Sequence, residues 1–155
     1  MYCILLILVP LKLSLLARLR HKGMEEYSSS SLVSSASGGQ ALVTTAEDLE
    51  RLLKALLDGE LFQNSKTLDE MQTFVPWPDG NPLSPWIEGY GLGIMKVVYP
   101  GGIEVIGHSG TSADFGAFVF YFPDQGITIS GAVNFPDAIG CFDPLMQRAL
   151  DILVK

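Results

Sequence analysis

The segment Gly107-His108-Ser109-Gly110-Thr111-Ser112 gathers one imidazole, three hydroxyls and two glycines into six residues. Two kinds of chemistry could use such a run. In the first, Ser109 is a nucleophile on a sharp strand-to-helix turn, because "GHSGT" begins like the G-x-S-x-G elbow of α/β-hydrolases. That elbow closes on glycine, where this chain has Thr111, and its histidine base follows the serine in chain order. The only histidines, His21 and His108, both precede Ser109, and the residues after it, "TSADFGAFVFYF", have the pattern of a strand. The elbow is excluded. The second chemistry is a polar strand end that receives a ligand, and beside it stands the plain reading: a strand-end histidine, ordinary hydroxyls at Ser109 and Thr111, and Asp114 in a turn.

The elements that would position this run are legible around it. In "TTAEDLERLLKALLDGELF" Thr44 is placed to cap a helix, with Glu47 three residues on. Leu49, Leu52, Leu53, Leu56 and Leu57 form its apolar stripe, Glu47, Asp48 and Glu50 fall in its first turn, and Gly59 stops it. A shorter helix is expected from Ser65 through Leu68 and Met71. The following "VPWPDGNPLSPW" carries too many prolines for regular structure.

From Tyr90 the period changes to two. "YGLGIMKVVYPGGIEVIGHSG" reads as two strands joined at Pro100, Gly101 and Gly102, and "AFVFYFPDQGITISGAVN" as two more joined through residues 123–126. Successive hairpins make an antiparallel sheet, and strands apolar on both alternations require cover on both faces. Tyr90 and Trp86 could line a cleft, but an aromatic before a Gly-rich strand reads first as packing, and the "GLG" after Tyr90 as a place where two layers approach closely. In "FDPLMQRALDILVK" Asp143 is placed to cap and Pro144 to begin a last helix, which buries Leu145, Met146, Ala149, Leu150 and Leu153.

Residues 1–22 form a separate apolar and then amphipathic segment, with Lys12, Arg18, Arg20 and Lys22 after the apolar run. Charges in that position do not make a secretory signal, and the run is shorter than the about 20 residues a membrane span needs. A membrane-surface segment and a core helix remain equally open. Residues 23–40 are a Ser/Gly-rich loop, and residues 41–155 are the patterned remainder.

Composition narrows the class. A chain of 155 residues allows one domain, and 48% hydrophobic against 17% charged residues fits a folded chain. The net charge of -7, with ten scattered basic residues, excludes a nucleic-acid partner. Cys3 and Cys141 make no metal-ligand spacing.

Three landmarks in order, "SASGGQALVTTAEDLERLLKALLDGEL", "YGLGI" and "GHSGTSADFGAFVFYFPDQGITISGAVN", resemble the C-terminal half of the serine β-lactamase and penicillin-binding-protein family. The branch is that of class C β-lactamases, D-alanyl-D-alanine carboxypeptidases and related esterases. The resemblance covers about residues 34 to 154. It implies an α+β fold, an antiparallel sheet flanked by helices that forms part of an α/β/α lobe.

It also implies roles. His108, Ser109 and Gly110 match the family's third motif, so Ser109 would be an accessory hydroxyl beside the attacking serine, and His108 would supply polarity or positive charge near the substrate carboxylate. Thr111 would lend its backbone N–H to the oxyanion, and Gly110 and Ser112 would lie along the substrate. No metal or cofactor is implied. The partner is a small-molecule or peptide acyl compound, and family members are often found at the cell envelope or outside the cell.

The chain departs from the family at its first two motifs. No serine has a lysine three residues on, and no tyrosine or serine has an asparagine two residues on. The expectation is therefore a partial hydrolase, inactive alone, with a missing N-terminal half or a tendency to self-associate through uncovered apolar surface. Two alternatives stand beside it: a non-catalytic ligand-binding module of the same fold, and an interaction protein that touches a membrane through residues 1–22.

Overall fold

The computed structural model describes residues 6–9, 44–77, 85–112, 115–134 and 139–153. Among the described residues, seven strands form one antiparallel sheet: β1 (Leu6–Val9), β2 (Val75–Pro76), β3 (Ile87–Tyr90), β4 (Met95–Tyr99), β5 (Ile103–Ser112), β6 (Phe115–Phe122) and β7 (Ile127–Asn134). Their spatial order is β1-β7-β6-β5-β4-β3-β2. From β3 to β7 the chain runs as a meander, each strand pairing with the next. Both expected connections, at residues 100–102 and 123–126, are turns.

Three helices accompany the sheet: α1 (Ala46–Leu57), α2 (Ser65–Met71) and α3 (Ile139–Leu153). One face of the sheet packs on α3. Phe118, Phe120 and Phe122 of β6 join Ile129, Val105 and Val97 with Phe142, Leu145, Met146, Ala149 and Leu150 in one buried cluster. The opposite face meets α1, where Ser130 of β7, fully buried, bonds to Ala46 and Glu50. Helices therefore cover both faces, as the doubly apolar strands require, and the architecture is the expected α+β arrangement of a partial α/β/α lobe.

Several elements differ from the sequence reading. The cap of α1 is Thr45, whose hydroxyl accepts from the Asp48 amide at 3.1 Å, one residue later than expected. The face that meets the sheet carries Ala46, Glu50 and Leu53. Glu50 is consequently buried and not a solvated first-turn carboxylate, while Leu52 stands 46% exposed outside the stripe. Asn64 caps α2, its side chain accepting from the Lys66 amide at 3.1 Å.

Helix α3 begins at Ile139, with Pro144 inside it, where Asp143 and Pro144 were expected to open it. Phe142 explains the difference: its ring packs 5.2 Å from that of Phe118 and draws the preceding turn into the helix. Pro144 falls in the second turn, where its missing N–H forfeits one bond. Asp143 accepts a hydrogen bond from the Tyr99 hydroxyl, and burial and the carboxylate together hold the Tyr99 pKa well above the ordinary phenol value.

The single strand expected from Tyr90 to Tyr99 is split. Tyr90 ends β3 and Met95 begins β4, and the intervening turn closes through Gly91 N–H to the Ile94 carbonyl at 2.8 Å. Leu92 N–H also reaches the Met71 carbonyl at 3.0 Å, docking the turn on the end of α2. A Cβ at Gly91 would lie 2.1 Å from that carbonyl oxygen, so the close approach foreseen at "GLG" is real. Within the proline-rich segment, Val75 and Pro76 form a two-residue strand at the sheet edge, where a proline is tolerated.

Residues 6–9 are strand and not helix. They form β1, antiparallel to β7, with Leu6 opposite Gly131 and Val9 opposite Thr128. The rest of residues 1–22, the 23–40 loop and Asp114 lie outside the described residues. Among the described residues, no helix is long and apolar enough to cross a membrane.

Candidate active site

Strand β5 is the longest in the sheet and carries the whole polar run. On one side it pairs with β6 over Ile106 to Ser112, His108 lying opposite Val119, Ser109 opposite Phe118 and Thr111 opposite Gly116. On the other side β4 accompanies it only from Ile103 to Gly107. His108 to Ser112 therefore project beyond β4, and among the described residues no strand pairs with their second edge.

The two glycines of the run differ in what the fold asks of them. A Cβ at Gly107 would lie 2.0 Å from the Val119 carbonyl oxygen and 2.8 Å from Phe120 Cα, so the approach of β5 to β6 requires glycine there. A Cβ at Gly110 would meet nothing within 4 Å. Nothing in the described fold calls for glycine at 110.

His108 and Ser109 alternate across the strand. His108, Gly110 and Thr111 are exposed and Ser109 is half-buried; Ser112 closes β5 opposite Phe115. Ser109 sits inside a regular ladder with β6, and β5 continues as strand before and after it along the chain, which is not the geometry of a nucleophile elbow.

The partner of His108 is Tyr90. The phenol oxygen lies 2.7 Å from Nε2, and the rings meet edge to face at 5.8 Å and 79°. Trp77, following β2, packs in turn on Tyr90 with centroids 5.2 Å apart. Although the His108 side chain reaches solvent, the surrounding protein desolvates the imidazole enough to hold its pKa below the ordinary histidine value.

Trp86 behaves as the packing aromatic it was read to be, half-buried against the core beside Tyr99. Tyr90 also packs on the core, and its hydroxyl in addition meets His108, a contact the sequence alone does not foresee. The available signal was its place immediately before "GLG", at the end of a strand. Trp77 gave no signal in a segment read only as loop.

A sheet covered by helices on both faces, with His-Ser-Gly on its longest strand paired with β6 and beyond the reach of β4, is the arrangement of a partial β-lactamase-like α/β/α lobe. A family model described as Beta-lactamase matches residues 13–151, and the chain belongs to this family of penicillin-binding-protein-like serine hydrolases. Among solved structures it is similar to a D-stereospecific amidohydrolase from Streptomyces sp., at 34% identity over 59% of this chain and 25% of that one, with a TM-score of 0.49. It is also similar to the octameric penicillin-binding protein homologue from Pyrococcus abyssi, at 22% identity over 67% of this chain and 24% of that one, with a TM-score of 0.47. The chain thus spans about a quarter of the length of these structures.

Proposed function

We propose that this chain supplies the cleft strand of a serine hydrolase that cleaves an amide or ester bond in an acyl compound, with the nucleophile and its lysine contributed by polypeptide outside these 155 residues. The observation that carries the proposal is the unequal length of two neighbouring strands. β5 runs to Ser112 while β4 stops pairing at Gly107, so a backbone edge at His108–Ser112 is open to an extended ligand.

The ladder supports a specific orientation. Hydrogen-bonded and non-hydrogen-bonded pairs alternate along an antiparallel pair, and strands joined by two residues close on a hydrogen-bonded pair. Ser112 and Phe115 are so joined, which turns the backbone groups of Ser109 and Thr111 away from β6 and toward the open edge. Thr111 N–H is then placed to receive a developing oxyanion, with the second donor coming from the nucleophile's own backbone. The bare Gly110 keeps a side chain out of the ligand's path, Ser112 continues the same edge, and Ser109 offers an accessory hydroxyl. His108 orients an oxygen of the substrate.

Without an activated nucleophile, binding and half of an oxyanion site are all that remain, and the chain alone is expected to bind acyl ligands without turning them over. The lack of any Ser-x-x-Lys in the sequence also favours a second reading, a binding module of the same fold. Titration of the isotope-labelled chain with a penicillin, and separately with an N-acyl-D-alanine ester, tests the shared core of both. Amide shifts concentrated at residues 108–112 and their β6 partners are expected; a ligand-saturable response elsewhere, or none, would overturn the assignment. Co-expression with a family lobe bearing Ser-x-x-Lys separates the two readings, since only the hydrolase reading expects restored ester hydrolysis.

A further inference from the structure

Tyr90 and His108 come from strands that do not pair with each other. β4 lies between β3 and β5, and its first residue, Met95, is paired with Tyr90 on one side and Gly107 on the other. One residue beyond Gly107, His108 has passed the end of β4, and the Tyr90 side chain reaches it across the end of the sheet, above the Gly91–Ile94 turn. That turn is fixed by the glycine contact with Met71, and the Tyr90 ring is backed by Trp77. The phenol is therefore held from two directions before it meets the imidazole.

We propose that Tyr90 is a positioning residue for the His-Ser-Gly strand: its hydroxyl donates to the Nε2 lone pair of His108 and fixes the imidazole as the neutral Nδ1–H tautomer. The direction of the bond follows from the chemistry of the two groups. Imidazole nitrogen is a far stronger base than phenol oxygen, and the phenol O–H is a better acid than a neutral imidazole N–H, so O–H···N is preferred over N–H···O. The 2.7 Å separation fits a hydroxyl donor and lies at the short end of the about 2.7–3.2 Å range of N–H donors to oxygen. Desolvation of the ring works against the imidazolium, and no charged group among the described residues contributes to its shift.

The consequence for the proposed site is that His108 presents one N–H, at Nδ1, in a set orientation at neutral pH. It orients a ligand oxygen as a neutral donor and does not attract a carboxylate by net charge. This consequence rests on the functional reading above; the tautomer itself does not.

The test is the imidazole nitrogen spectrum of the isotope-labelled full chain, recorded across the neutral pH range, with His21→Gln assigning the two histidines. His108 is expected as a single Nδ1–H tautomer with Nε2 unprotonated. In Tyr90→Phe, which keeps the ring and the Trp77 contact, the tautomer preference is expected to be lost and the His108 pKa to rise by about half to one unit, the worth of one hydrogen bond to the neutral form. An Nε2–H tautomer in the unmodified chain would overturn the proposal, as would an unchanged tautomer and pKa in Tyr90→Phe. The measurement on the unmodified chain decides the tautomer even if the variant does not fold. A failed ligand titration would leave this result standing, and a failed tautomer test would leave the open strand edge standing.

Discussion

The Ser130 hydroxyl of β7 lies 2.7 Å from Glu50 Oε1 of α1, eighty residues away in sequence, and both side chains are buried. The same hydroxyl lies 3.0 Å from the Ala46 carbonyl. A hydroxyl has one proton, so it cannot donate to both acceptors at once. Both contacts are satisfied when Glu50 is protonated, donating to Ser130 Oγ while Ser130 donates to Ala46. Burial pushes the Glu50 pKa up; the Ser130 hydrogen bond opposes this and the Glu47 charge adds to it. A carboxyl with a raised folded pKa stabilises the fold fully below its unfolded pKa, and that contribution is lost as pH rises through the folded pKa.

Glu50→Gln, which keeps the shape and a donor while removing the charge, is expected to hold or raise the melting temperature at pH 7 and to flatten the loss of stability above the ordinary glutamate range. Glu50→Ala is expected to cost about 1–2 kcal/mol by leaving the Ser130 contact unmade and a space behind it. Thermal melts of the three proteins from acid to neutral pH check both outcomes.

The two close-lying glycines and the open one make a contrast. Gly91→Ala forces a Cβ to 2.1 Å from the Met71 carbonyl oxygen and must displace the turn under Tyr90, at a cost of about 2 kcal/mol or more. Gly110→Ala meets no atom and is expected to change stability by no more than about 0.5 kcal/mol. Chemical denaturation measures both. If Gly110→Ala retains stability yet weakens the amide shifts induced by an acyl ligand, the glycine serves the ligand and not the fold.

Tyr99 ties β4 to α3 through Asp143, and its phenol pKa is raised, chiefly by burial and then by the carboxylate. The native state therefore keeps a proton that the unfolded chain loses near pH 10, so this contribution is present below that range and is lost as pH climbs through the higher folded value. Alkaline titration followed by phenolate absorbance should show one tyrosine ionising only as the protein unfolds. Tyr99→Phe should abolish that late step and cost about 1 kcal/mol near neutral pH.

Much of this fold is legible in the sequence because its signals are local. The meander from β4 to β7 shows in period-two strands broken by Pro100-Gly101-Gly102 and by residues 123–126, and α1 in its leucine spacing. What escaped is tertiary. Glu50 looks like any first-turn carboxylate until the sheet is in place and its face of the helix meets Ser130. Ile139–Asp143 join α3 because Phe142 finds Phe118, a contact Pro144 conceals. The His108-Ser109-Gly110 run is legible by residue type, but its projection beyond β4 depends on where Met95 starts, and the Tyr90 hydroxyl reaches His108 only because β3 ends level with that point.

In the proposed site Ser109 belongs to the wall of a ligand cleft and is not itself the nucleophile. The most direct test is the intact mass of the folded chain after incubation with a fluorophosphonate and, separately, with a penicillin. No adduct is expected with either reagent. A stoichiometric adduct mapping to Ser109 would contradict the account, because it would require an activating base that neither the ladder around Ser109 nor the Tyr90-bound His108 provides.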